Sequence, residues 1–139
     1  MKQNIVLPSL LLMLIIIMSG CVVQKATSKG RCDGYKVLRN ETTGTLSDEA
    51  SQGMIYGVTL ESQGVIVPYM DVVVLDSTGK QVTGITSGSF GEYKIQLEPG
   101  TYQVKFNRVG YCMITLKDII VSKGEIRELI VIVPEQTTH

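Results

Sequence analysis

The rhythm of apolar and polar positions changes three times along the chain. From Leu10 to Met18 every residue is apolar. After Val23 and up to Gly53 the chain is rich in Lys, Ser, Thr, Gly, Asn and Glu, and only Tyr35, Val37, Leu38 and Leu46 are sizeable apolar side chains. Beyond Gly53, short β-branched runs are separated by glycine-bearing turns, the spacing of an all-β sandwich. This predicts strands near 54–61, 70–76, 82–86, 92–97, 101–109, 112–121 and 126–133, and no helical period competes with them. In TYQVKFNRV, Tyr102, Val104 and Phe106 point to one face and Gln103, Lys105 and Asn107 to the other, so the strand has one buried and one wet side. ELIVIVP is instead apolar without a break from Leu129 to Val133, which leaves an outer face to be covered or offered to a partner. Asp118 interrupts ITLKDIIV and marks a bulge or a register change.

The first apolar run is short for a permanent span, which needs roughly 20 residues. With Lys2 before it and Ser19-Gly20 after it, the run has the three-part build of a secretory signal. Met18-Ser19-Gly20-Cys21 resembles the lipobox of bacterial lipoproteins, with Met18 where Leu is commoner. That resemblance implies cleavage between Gly20 and Cys21, lipidation of the Cys21 thiol and an amino-terminal membrane anchor. Residues 1–20 are then the signal peptide, and residues 21–53 a lipidated tether too polar to offset its ordering entropy. The alternative is that residues 32–38 dock as an extra strand. Val22-Val23-Gln24-Lys25 lacks the aspartate and the acidic cluster used as sorting signals, so the expected location is the outer membrane, facing the periplasm.

Three stretches of the β half resemble the carboxypeptidase regulatory-like domain family. In residues 55–80 the match is carried by Gly57, Gly64, Pro68, Val72 and Val74; in TSGSFGEYKIQL by Thr86, Gly91 and Tyr93; and in residues 97–111 by Pro99-Gly100-Thr101-Tyr102 and Gly110-Tyr111. The resemblance implies a seven-stranded transthyretin-like, or prealbumin-like, Greek-key sandwich over 54–134, followed by a disordered end at 135–139. Pro99-Gly100 suits a tight turn with a left-handed glycine. Gly88 and Tyr69 depart from the family, which often has an acid and a glycine at those positions; the first departure speaks against a metal site in that turn.

Composition narrows the chemistry. Without the signal, 119 residues remain, enough for one domain, with 12 Lys plus Arg against 13 Asp plus Glu. Near-neutral charge offers no basic stripe for nucleic acid. The single histidine is His139 at the last position, so His-based triads, zinc shells and the histidine-dependent hydrolase of the transthyretin-like fold are not expected. Asp71, Asp76, Glu92, Glu98 and Asp118 read as solvated turns and strand ends, and no stretch packs oxygen ligands as calcium loops do. No catalytic residue, metal or cofactor is expected. Cys32 and Cys112 remain once Cys21 is lipidated. In an exported protein they either pair or stay free, with Cys112 a small buried hydrophobe. Tyr69 and Phe90, both in predicted turns, are the candidate ligand contacts. The reading that follows is a non-catalytic, membrane-anchored accessory or scaffolding module for an envelope protein. The alternative is a glycan-binding envelope lipoprotein that uses the two loop aromatics.

Overall fold

The computed structural model describes Cys32 and residues 34–137. Eight strands follow one another: β1 (Lys36–Thr45), β2 (Gly53–Leu60), β3 (Asp71–Asp76), β4 (Gln81–Thr86), β5 (Glu92–Leu97), β6 (Gly100–Asn107), β7 (Ile114–Val121) and β8 (Glu125–Ile132). They build two four-stranded sheets, ordered β1-β8-β2-β5 and β4-β3-β6-β7. Every neighbouring pair is antiparallel except β2 and β8, which run parallel with Met54 opposite Ile126 and Leu60 opposite Ile132.

The seven strands expected after residue 53 are β2 to β8, and alternation sets their faces. Tyr102, Val104 and Phe106 are buried, whereas Asn107 is exposed and Gln103 and Lys105 are half-exposed. Phe106 meets Tyr93 of the opposite sheet edge-on, with centroids 5.8 Å apart and planes at 70°, a geometry worth about 0.5–1.5 kcal/mol beyond its burial. The Pro99-Gly100 corner closes differently from expectation. Gly100 does not adopt the left-handed region but starts β6 opposite Val121. The Tyr102 hydroxyl donates to the Glu98 carbonyl at 2.6 Å, holding the corner from the side chain.

Two boundaries are corrected. The tether expected over 21–53 gives way between Lys36 and Thr45 to β1, which pairs with β8, so the sandwich has eight strands rather than seven; residues 21–31 lie outside the described residues. Composition hid this strand because its side chains are nearly all exposed. A backbone ladder and polar pairs hold it, and neither registers as hydrophobicity. The disordered end expected over 135–139 is shortened likewise. Glu135 bridges Tyr111, and the Gln136 N–H donates to the Gly110 carbonyl at 2.8 Å. Thr138 and His139 are outside the described residues.

One polar network pins β1 in register. Glu125 accepts from the Thr42 hydroxyl at 2.8 Å and pairs with Arg127 at 2.9 Å, while Arg127 donates to Asn40 at 2.7 Å. Burial pushes the Glu125 carboxyl up, but the Arg127 and Thr42 hydrogen bonds outweigh it and hold the group below the ordinary glutamate range. A lowered folded value means the contribution is complete above the unfolded glutamate value of about 4.3 and is lost as pH falls through the folded value. Glu125→Gln is therefore expected to flatten the acid side of the stability–pH curve, measured by urea denaturation between neutral pH and about pH 3. An unchanged acid limb would show that Glu125 carries none of it.

Asp118 sits at φ 58°. Opposite it, Tyr102 pairs with Ile119 but Val104 pairs with Leu116, so two residues of β7 face the single Gln103. This bulge is the interruption read from the sequence, and it has a packing reason. Leu116 and Ile119 are both buried, an inward set that strict alternation would turn outward after Leu116. Asp118→Val is expected to cost about 1–2 kcal/mol, because a β-branched side chain is strained in the left-handed region, while Asp118→Gly stays near neutral. Denaturant midpoints of the two variants check this; equal values would mean that the bulge does not depend on that conformation.

Candidate functional site

The strand directions bring the chain entry, the β2–β3, β4–β5 and β6–β7 loops and the stretch after β8 to one end of the sandwich, where they are tied together. Cys32 and Cys112 form a disulfide with Cα atoms 5.4 Å apart, linking the start of the described chain to the β6–β7 loop. The Cys112 N–H donates to the Pro134 carbonyl at 2.9 Å. Arg108 donates to the Pro68 carbonyl of the β2–β3 loop and lies over the Tyr111 ring at 5.8 Å. Of the two alternatives open for the cysteines, the structure contains the pair, and Cys112 is buried as well.

Tyr69 and Phe90 lie on two loops of this end, and the Tyr69 N–H donates to the Gly88 carbonyl at 3.3 Å. Both rings are open to solvent, 56% and 70% exposed. Tyr69 holds φ 57°, a left-handed conformation that suits the glycine common in its place and costs a tyrosine about 1–2 kcal/mol. Gly88 also has a local reason: a Cβ there would lie 2.0 Å from the Glu92 carboxylate, which turns back to accept the Phe90 N–H at 2.9 Å. Asp71 accepts from Thr86 at 2.8 Å. Of the two carboxylates that could have formed an acid–base pair, Asp71 is thus engaged across the β3–β4 ladder and Glu92 within its own turn. Among the described residues no group of three His, Cys, Asp or Glu is placed to hold a metal. Cys21 and Gly20 lie outside the described residues.

A second feature lies on the outer face of the β1-β8-β2-β5 sheet. Met54, Tyr56 and Val58 share that face with Gln96, Lys94 and Glu92, to which they pair in β5. Met54, Tyr56, Val58, Glu92 and Lys94 line, with Gly44 of β1, Ile126 of β8 and Ile85 of β4, an open groove of about 720 Å³ that is mainly apolar. The Tyr56 hydroxyl and the Thr43 hydroxyl are 3.1 Å apart across it. The open outer face inferred from the Leu129–Val133 run corresponds to Ile130 and Ile132 on this same sheet. The groove itself was not read from the sequence. Its signal was present in MIYGVTL, where the set Met54, Tyr56, Val58 and Leu60 is apolar throughout although the core takes Ile55, Gly57 and Thr59.

Beneath the groove, Gly57 allows a close approach. Tyr93 pairs with Gly57, and its hydroxyl donates to the Leu129 carbonyl. Burial pushes the Tyr93 hydroxyl far above its ordinary value and so keeps it a donor. The β2–β8 pairing is interrupted here, from Tyr56–Glu128 to Thr59–Val131, and the side chain supplies what the ladder omits.

The model of one family, described as the carboxypeptidase regulatory-like domain, matches residues 54–133. No protein of curated function matches the chain. Among solved structures, "The Bacillus anthracis TIE protein" is similar with a TM-score of 0.51 at 22% identity, covering 60% of this chain; the chain spans 17% of that protein. Chlorocatechol 1,2-dioxygenase from Pseudomonas putida is similar with a TM-score of 0.51 at 10% identity, covering 86% of this chain and 77% of the enzyme. At such identities the likeness concerns the fold alone.

Proposed function

The chain belongs to the carboxypeptidase regulatory-like domain family, and on that premise we propose that it is a non-catalytic lipoprotein, anchored through Cys21, that acts as an accessory or scaffolding binding module in the bacterial cell envelope. The observation that carries the binding role is the apolar groove of Met54, Tyr56, Val58 and Ile126 on an open sheet face. Apolar surface on a β-sheet that no other element among the described residues covers fits a protein partner better than bulk water. Asp71 and Glu92 are committed to a cross-strand and a turn hydrogen bond, which fits a module that binds rather than reacts. The lipobox-like Met18-Ser19-Gly20-Cys21 supplies the anchor, and the outer membrane, facing the periplasm, is the proposed location.

The test is cross-linking of the full-length protein in its native membrane, followed by mass spectrometry of the captured species and of the mature amino terminus. One envelope protein linked through Lys94, with capture lost in Tyr56→Ala/Val58→Glu, is the expected result. Capture that ignores those substitutions would remove the groove from the reading, and an unmodified Cys21 would remove the anchor. Exposure of Tyr69 and Phe90 on adjoining loops favours a second reading, a glycan contact. It predicts retention on a polysaccharide column that is lost in Tyr69→Ala/Phe90→Ala; no retention of the unmutated protein would retire it.

A further inference from the structure

The two ends of the sandwich differ in character. At the end tied by Cys32–Cys112, the loop tips present Val65, Ile66, Tyr69, Phe90, Val109 and Met113, all exposed, with Val109 at 98%. The strand pairing places them together. Ile66 bridges Leu60 at the end of β2, the Tyr69 and Gly88 backbones are hydrogen-bonded, and Val109 and Met113 flank the disulfide loop. At the opposite end the turns carry Asp48, Glu49, Lys80, Glu98 and Lys123, and among the described residues none of those turns has an exposed large apolar side chain. Of the remaining exposed apolar groups, Val37, Leu38, Val82 and Ile120 sit on strands, and Tyr35 precedes β1 at the chain entry. Scattered apolar residues are ordinary on a surface. Apolar tips on three successive loops of one end, and on none of the turns at the other, are not scattered.

We propose that this loop end rests on a lipid bilayer, with Tyr69, Phe90 and Val109 entering the interface. The proposal rests on the reading of Cys21 as the lipidated residue. Cys32 follows Cys21 by eleven residues, so the chain between them reaches at most about 40 Å. The disulfide fastens that leash to the loop end itself. In a fully flexible tether running to Gly53 the domain would turn freely; here the apolar tips are the part of the domain held nearest to the bilayer, at an effective concentration that makes a weak contact count. A single acyl chain binds only reversibly and a second contact consolidates it, and aromatic rings are suited to the headgroup level. Tyr69 keeps its ring at a left-handed position that suits glycine, and an exposed ring at such a position is accounted for by a contact outside the fold. The Arg108 cation is engaged by Pro68 and Tyr111, so the contact is apolar and responds weakly to salt.

The chain contains no tryptophan, which allows a direct test. Full-length Phe90→Trp and Lys123→Trp proteins, one reporter at each end, are isolated from the membrane and placed in phosphatidylethanolamine–phosphatidylglycerol vesicles containing doxyl-labelled lipid. The expected result is a blue shift and loss of most of the emission for Phe90→Trp, with Lys123→Trp unaffected. If both proteins float with the vesicles and neither is quenched, anchoring stands and the docked end is overturned; that result would leave the loop tips to a glycan or a protein. Quenching of both alike would overturn the orientation. Failure to float overturns the anchored reading, and the docking with it.

Discussion

Gly57→Ala is expected to destabilise the domain by about 4 kcal/mol or to prevent its folding. A Cβ at this position would lie 1.8 Å from the Leu129 carbonyl oxygen and 2.7 Å from its carbon, with the Tyr93 hydroxyl at 2.8 Å. A side-chain neighbour could swing away. A backbone carbonyl in the adjacent central strand cannot, because moving it displaces β8 relative to both β1 and β2. The proper control is Tyr93→Phe, which removes the donor to Leu129 and leaves a buried carbonyl unpaired, at about 1–3 kcal/mol. If the backbone clash dominates, Gly57→Ala/Tyr93→Phe recovers little of the stability lost by Gly57→Ala. If the double variant returns to the level of Tyr93→Phe alone, the hydroxyl was the obstacle and the backbone argument fails. Denaturant unfolding at a single pH distinguishes the two.

Loss of the Cys32–Cys112 bridge is the second large effect. The bridge closes a sequence separation of 80 residues, for which the chain-entropy model gives about 4.5 kcal/mol; removing a native disulfide from a small exported domain ordinarily costs about 2–5 kcal/mol. Cys32→Ser is the variant of choice, because Cys32 is only partly buried, whereas Cys112 is almost fully enclosed and a serine there would add a buried hydroxyl. The loss should also be uneven. β1 buries little side-chain surface and is held by its ladder, the Glu125 network and an Arg39–Glu128 pair at 2.7 Å whose arginine side is half open to solvent, so that water screens it. Amide exchange across Lys36–Thr45 is therefore expected to rise well before exchange in β3 and β6. Uniform loosening of the whole sandwich would show instead that the bridge stabilises the domain as one unit. In the anchored reading, the same variant lengthens the leash at the loop end, so quenching of the Phe90→Trp reporter should weaken with it.

Much of this architecture was legible beforehand because its causes are local or periodic. Period-two alternation placed Tyr102, Val104 and Phe106 in the core, and the break at Asp118 announced a bulge, since the inward set has to be restored by one extra residue. Gly57 and Tyr93 stood out as family positions, although the sequence could not say that they meet. The loop aromatics were recognisable as exposed because they fall in turns. β1 was nearly lost, because a strand that buries almost nothing leaves no hydrophobic trace. The groove was missed because the more apolar set of β2, Met54, Tyr56 and Val58, faces outward, and that direction follows from the packing of Ile55, Gly57 and Thr59 against the rest of the sandwich.

The sequence alone therefore determined the strand half of the molecule, its turns, its family and the residues that could carry chemistry, all of which are set by neighbours along the chain. Only the tertiary structure decided that residue 32 meets residue 112, that β1 completes a sheet through β8, and that the apolar loop tips gather at the end where the chain enters. These facts depend on which strands lie side by side and in which direction. Contacts between residues some 80 positions apart arise from packing the whole chain at once, and no local pattern records them.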